Sequence, residues 1–382
     1  MPAVTTRTAP LTEPNWYRHL PAGRDVHLLH EGVVAVTGND AVHQILAHPA
    51  VVAEHPLKAS SRALGPNVLD ADGPQHRAFR ALLAPVLSAG RIDDYARTLM
   101  PRLIDDLTEE LAGVRTNEFD ARYAHRIPYG LVCAVLGIDT ALEERFHTLT
   151  RPLAQLLDYP TVETPQTHRC AAELLDLIEE QRIARDGSGT SLLETIERTR
   201  DRKAITLSDS EVRSTAVLFF IAGTETSSAY ITSLVYCIGR TVFGLEELLD
   251  SEVRAHFLEE VLRLYPPVQT VVRFAAEDIT LDGVTVPRHS AILASIAAAN
   301  RDPRVFAYPD RLVIGRDTKR SAPFAVGAHA CPGAVLAKTE FGLLTARLAE
   351  RFREIAVVGD ERRIESQSFS HPVDFTVHFR VK

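Results

Sequence analysis

Residues 208–239 constrain this chain more than any other segment. Ser208 with Glu211 forms a capping box, apolar spacing continues for many turns, and Gly239 closes the pattern, so one long helix is predicted. Its middle, residues 216–222 (AVLFFIA), is apolar on every side, as for a helix through the centre of a protein. That run passes directly into residues 223–228 (GTETSS). Glycine weakens a helix by roughly 1 kcal/mol relative to alanine, and an unpaired buried carboxylate costs more. An internal cavity or a cofactor against this face is the economical explanation, although the patch alone fits a helix end leaving the core equally well.

The remainder of the chain can enclose such a helix. Its 382 residues are 45% hydrophobic and 24% charged, enough to bury a large core. Helical spacing recurs over 91–112, 141–157 and 167–184. Strand signals are short: 32–38, 278–294 with Asp282-Gly283 as a tight turn, and 373–381. The expected fold is mainly α with small β-sheets, one large helical domain over residues 1–382, with a loosely ordered segment at 1–25. The loose stretch 186–190 (DGSGT) is too short to divide domains, and Gly187-Ser188-Gly189 follows a helix rather than a strand, which makes it a loop rather than a dinucleotide site. A formal charge of −8 argues against a nucleic-acid partner and for a small molecule. Residues 1–21 hold no apolar stretch resembling a signal or an anchor, so a cytoplasmic protein without a membrane partner is expected. Cys133, Cys170, Cys237 and Cys331 lie far apart, which indicates neither a disulfide framework nor a zinc ribbon.

Cys331 sits in FAVGAHACPG, just before a helix predicted from Gly333 onward. The positive end of that helix favours a thiolate, and Gly327 and Gly333 let the backbone approach a flat ligand or donate N–H bonds to sulfur. One cysteine cannot build a four-ligand zinc or iron–sulfur site, whereas a haem needs one protein axial ligand. A buried cysteine packed as a small apolar residue explains the same letters, so the loop alone leaves both readings open. A further helix, 251–265, stops at Pro266-Pro267 and carries Glu260 and Arg263 three apart. Most such pairs are solvated and contribute roughly 0.2–0.5 kcal/mol, and Glu259 offers Arg263 a rival partner.

Taken in order, these segments resemble the cytochrome P-450 family of haem-thiolate monooxygenases, in its soluble bacterial form. Phe324, Gly327, His329, Cys331 and Gly333 match the family's cysteine pattern, with Ala325 departing where a glycine or another small polar residue is usual. Residues 222–226 (AGTET) resemble its oxygen-binding segment. Glu260 with Arg263 resembles its glutamate–arginine signature, completed by Arg311 in Pro309-Asp310-Arg311. Residues 300–303 (NRDP) are also similar to bacterial members, and residues 72–80, with His76 and Arg80, resemble the helix contacting haem propionates.

The resemblance implies heme b ligated by Cys331, O2 as co-substrate, and a haem site formed by His76, Arg80, Ala222, Gly223, Arg273, Phe324, His329, Cys331 and Gly333. It implies that the central helix bends at Gly223 to admit dioxygen, that Thr226 hydrogen-bonds the oxygen and helps deliver protons with Glu225 nearer solvent, and that Glu260, Arg263 and Arg311 lock the fold. Structural capping is the rival role for Thr226. Leu69, Phe219, Val268, Thr270 and Val271 are expected to line an apolar substrate pocket. The implied reaction is insertion of one oxygen atom into a hydrophobic or aromatic small molecule, in bacterial secondary metabolism. Electrons would come from a separate ferredoxin and reductase, docking near Arg77 and Lys338. Aromatic coupling or C–C cleavage is the alternative within the family. A non-catalytic helper, or a haem sensor or electron carrier, is the alternative outside it.

Overall fold

Ser208 does cap the long helix: Asp209–Arg240 is continuous, and the Glu211 carboxylate accepts a bond from the Ser208 amide at 2.7 Å. At 1.5 Å rise per residue this helix spans about 48 Å. It packs against helices Arg126–Leu136, Glu143–Asp158, Pro165–Ile183 and Ser251–Leu264 and against strand Phe352–Val358, which is why its apolar residues face every direction. The hydroxyls of its polar middle are satisfied within the helix. Thr224 donates to the Phe220 carbonyl at 2.8 Å, Thr226 to Ala222 at 2.7 Å, Ser228 to Thr224 at 2.7 Å and Thr232 to Ser228 at 3.0 Å. Helical hydrogen bonding runs unbroken through Gly223, where the bend is expected. A Cβ at Gly223 would lie 2.9 Å from Val132 Cγ2, so close packing on helix Arg126–Leu136 accounts for the glycine.

The computed structural model describes residues 16–21, 23–30, 32–158, 164–184, 189–195, 207–241, 244–359, 362–364 and 368–382. One apolar cluster runs from Ala59 to Phe379 and contains most of the helices. Beside it stands a five-stranded sheet in the order Val26–His30, Val33–Val36, Ala291–Ser295, Thr270–Ala275, Val51–Val52. Only Val33–Val36 with Ala291–Ser295 is parallel. The fold is therefore mainly helical with small sheets, as the spacing predicts. No described helix is long and apolar enough to cross a membrane.

Several boundaries move for identifiable reasons. The segment 91–112 is two helices, Ala89–Thr98 and Met100–Glu110, because Pro101 has no N–H to continue the first. The segment 278–294 divides: Ile279–Leu281 and Val284–Val286 form a hairpin whose turn residues Asp282 and Gly283 both have positive φ, while Ala291–Ser295 joins the larger sheet. Residues 186–188 of the expected loop lie outside the described residues. So do residues 1–15; of the segment 1–25, residues 16–21 and 23–25 are described. Trp16 is 1% exposed, packs with Phe274 and Leu293, and donates its indole N–H to Thr270 Oγ1 at 3.2 Å.

Candidate functional site

The turn before helix Ala334–Arg351 is closed by its own backbone: the Cys331 amide donates to the Phe324 carbonyl at 2.9 Å and the Ala330 amide to Gly327 at 3.1 Å. Gly327 has φ +80°, and a Cβ there would fall 2.5 Å from the Leu46 carbonyl oxygen. Ala325 has φ 56°, a left-handed conformation that costs an L-residue roughly 1–2 kcal/mol. The alanine thus adopts the shape that a glycine would take freely. The departure from the pattern strains the turn without unfolding it.

The Cys331 sulfur opens onto an internal cavity and is otherwise enclosed by protein. Burial pushes its thiol up, against the amides of Gly333 and Ala334 and the charge of Arg80, which pull it down. Every expected haem-contact residue lines this same cavity, as do Leu69, Phe219, Val268, Thr270 and Val271 and the expected oxygen-side residue Thr226. Most of the wall is apolar, with Val68, Leu131, Leu218 and Leu262 added to the set.

One rim is basic. The Arg273 residue is 6% exposed, and its guanidinium donates to the carbonyl of Val272 at 2.9 Å. Burial lowers it to about 10, still charged at neutral pH. Arg80 Nη1 donates to the Ala330 carbonyl at 2.8 Å, tying its helix, Gly73–Leu83, to the cysteine loop. His329 Nε2 lies 2.9 Å from Asp72 Oδ1, and its ring is 4.1 Å from that of His76. Burial first, then His329 and Arg80, lower His76 to about 4, so it is neutral at pH 7. Burial tends to raise Asp72, but bonds from His329 and from the amides of Glu54 and Ala53 hold it below the usual range. Among the described residues neither Arg80 nor Arg273 has a carboxylate within ion-pairing distance. A buried guanidinium and a half-buried one without ion-paired carboxylates, beside apolar walls and a thiol receiving two amides, fit a flat apolar macrocycle with carboxylates at one edge and a metal that takes sulfur.

Glu225 does not line the cavity. Its Oε1 lies 3.5 Å from Tyr129 Oη, which shares a 2.6 Å bond with Thr150 Oγ1, and burial pushes the carboxyl up. Tyr129 carries no signal of this contact in its own stretch of sequence. Thr226 has its hydroxyl on the Ala222 carbonyl, the capping bond weighed against an oxygen-side role.

The Glu260 network requires one correction. Glu260 and Arg263 are fully buried and joined by a two-pronged bridge of 2.7 and 2.8 Å, while Arg263 also donates to the carbonyls of Asn300, Pro309 and Arg311. Arg311 contributes that carbonyl only; its side chain lies over the Tyr308 ring at 5.4 Å. The second guanidinium on Glu260 belongs to Arg316, with Nε 2.8 Å from Oε1. Glu259 instead pairs with Lys338 at 2.6 Å.

The family model for cytochrome P450 matches residues 252–377. The 6-deoxyerythronolide B hydroxylase of Saccharopolyspora erythraea is 28% identical over 370 residues, 90% of each chain. The vitamin D(3) 25-hydroxylase of Pseudonocardia autotrophica is 31% identical over 310 residues, 76% of this chain and 72% of its own. Among solved structures, a myxobacterial cytochrome P450, CYP267B1 with myristic acid, superposes with TM-score 0.84 at 25% identity over 96% of both chains.

Proposed function

We infer, from the premise that this chain belongs to the cytochrome P450 family, that it hydroxylates or epoxidises a hydrophobic small molecule of bacterial secondary metabolism. As a monooxygenase it places one atom of O2 in the substrate and releases the other as water, consuming two electrons and two protons. The observation that carries the reading is the convergence of Cys331, Gly223 and Thr226 on one apolar cavity whose rim holds Arg80 and Arg273, neither ion-paired with a carboxylate among the described residues. Relatives named as a hydroxylase and as a hydroxylase/epoxidase support this choice of reactions.

Haem, as iron protoporphyrin IX, would supply oxygen activation when held here through a cysteine thiolate. Cys331 gives that thiolate, and the Gly333 and Ala334 amides temper its charge. Arg80 and Arg273 hold the propionates, with His76 and His329 adding hydrogen bonds. Glu225, whose buried carboxyl holds a proton more readily than an exposed one, passes it towards the Thr226 hydroxyl through water. Leu69, Phe219, Val268 and Val271 bind the substrate and exclude water from the reacting centre. Single electrons arrive from a ferredoxin-type carrier and its reductase in the cytoplasm. Arg77 is the open charge for that docking, since Lys338 is already paired with Glu259.

The test is optical. The reduced protein under carbon monoxide is expected to show the strongly red-shifted Soret band of a thiolate-ligated haem, and Cys331→Ala to abolish it. A histidine-type spectrum in the unaltered protein would refute the assignment.

A further inference from the structure

Lysine is seldom fully buried unless paired. Lys58 has a side chain only 4% exposed, and its one ion-pair partner among the described residues is Asp70, 2% exposed. The contact, Nζ to Oδ1, is 3.4 Å, long for a charge-assisted bond. Asp70 meets it with Oδ1, a buried oxygen that has no hydrogen bond among the described residues. Its Oδ2 takes the hydroxyl of Ser60, that of Ser61 at 2.9 Å and the Asn67 amide at 3.4 Å. The ammonium therefore lies beside an otherwise unbonded carboxylate oxygen, and this single long contact keeps N–H donors unspent.

Lys58 also lines the cavity that holds Cys331. Burial above all lowers the Lys58 pKa, Asp70 and Asp72 raise it and Arg273 lowers it further, and Arg273 lines the same cavity. The rim of that cavity then carries three basic side chains, Lys58, Arg80 and Arg273, against Asp70 and Asp72, and Asp72 is engaged by His329. Basic groups facing an apolar cavity, with Lys58 and Arg273 buried and Arg80 half-buried, favour further negative charge there.

We propose that Lys58 is a third cation of this cavity and binds a carboxylate there. Two sources share that chemistry: a haem propionate, which rests on the preceding assignment, and the acid group of a substrate. The neighbourhood of Arg273 favours the propionate. Lys58 thereby ties the segment before helix Ala59–Leu64 to the cofactor edge, so haem retention depends on a residue outside the cysteine loop and the propionate helix.

The experiment compares wild type, K58M and the double variant K58M/D70N as holoproteins. Haem transfer to excess apomyoglobin is timed, and the spin-state shift on adding dodecanoic acid or its methyl ester is recorded. Loss of one charge-assisted bond predicts roughly tenfold or faster haem transfer in K58M, and the double variant should stay equally fast. Unchanged haem transfer with loss of the dodecanoic acid response alone, the ester response being kept, assigns the site to a substrate acid. Wild-type behaviour of K58M in both assays overturns the proposal. So does recovery of wild-type haem transfer in the double variant, since Lys58 would then serve only to balance Asp70. A wild type lacking the red-shifted carbon monoxide band overturns the haem assignment and this proposal together, whereas a normal band with a silent K58M overturns the proposal alone.

Discussion

Replacing Arg316 should damage the fold and replacing Arg311 should not, although Arg311 is the residue that the family pattern singles out. Arg316→Leu removes the Nε bond to a carboxylate with no solvent exposure, together with bonds to the carbonyls of Ala307 at 2.5 Å and Tyr308 at 3.3 Å. A hydrogen bond to a charged group is worth about 1.5–3 kcal/mol. Glu260 is not stranded, because the two-pronged Arg263 bridge and the Val313 amide at 2.9 Å remain. The loss should therefore stay under the roughly 3–5 kcal/mol of an abandoned buried charge, at about 2–3 kcal/mol. Arg311→Leu keeps the carbonyl that Arg263 uses and loses only an exposed stacking contact on Tyr308, worth about 0.5 kcal/mol. Unfolding entropy of about 2.1 cal/mol/K per residue gives about 0.8 kcal/mol/K for a chain of 382 residues. The thermal midpoint should thus fall by about 3 °C for Arg316→Leu and by less than about 1 °C for Arg311→Leu. The assay follows circular dichroism and haem absorbance of the holoproteins at one scan rate. An equal fall in both variants, or none for Arg316→Leu, would refute the reasoning.

Thr226→Ala should keep haem uptake and substrate binding while diverting reducing equivalents to peroxide, measured as peroxide formed per electron pair; full coupling would leave the Ala222 bond as the only role of Thr226. Gly327→Ala combines positive φ with a Cβ only 2.5 Å from a backbone oxygen, so it should cost more than about 2 kcal/mol and lower haem occupancy, read from the ratio of Soret to protein absorbance. Glu340 is 2% exposed, its Oε1 has no hydrogen-bond partner, and burial pushes its carboxyl up to about 8. The folded state then holds a proton that the unfolded chain has lost, so stability falls as pH rises from about 4.5 to about 8. Glu340→Gln should remove that slope, which amounts to about 1.36 kcal/mol for each pH unit inside that window, and so gain on wild type at pH 8 relative to pH 5. Urea unfolding at both pH values checks this, and an identical difference at each would count against it.

What was legible in the chain was local. Helix Asp209–Arg240 announced itself through the capping box of Ser208 and Glu211 and an unbroken apolar run, and the hairpin at Asp282-Gly283 through a turn that demands positive φ. Cys331 with Gly327 and Gly333 was legible because sulfur, turn and helix start are neighbours in sequence. Partners that meet through folding left no comparable trace. Arg316 reaches Glu260 across 56 positions, Tyr129 reaches Glu225 across 96, and Lys58 meets Asp70 at 3.4 Å. Gly223 also packs against Val132, a contact that its own stretch of sequence does not announce.

The same division explains Ala325. Its neighbours fix φ at 56° through the Ala325 amide on the Ala322 carbonyl and the Cys331 amide on the Phe324 carbonyl, which together close the turn around it. Because those bonds are made by backbone, they are indifferent to the side chain, and the turn can form with alanine if the rest of the fold supplies roughly 1–2 kcal/mol. Arg80 on the Ala330 carbonyl is one such supply, worth about 1.5–3 kcal/mol as a charge-assisted bond. The cysteine loop is therefore held as much by the helix Gly73–Leu83 as by its own letters. A loop motif missing one glycine is thus tolerable where a second element grips it, and only the arginine, far away in sequence, signals that it does.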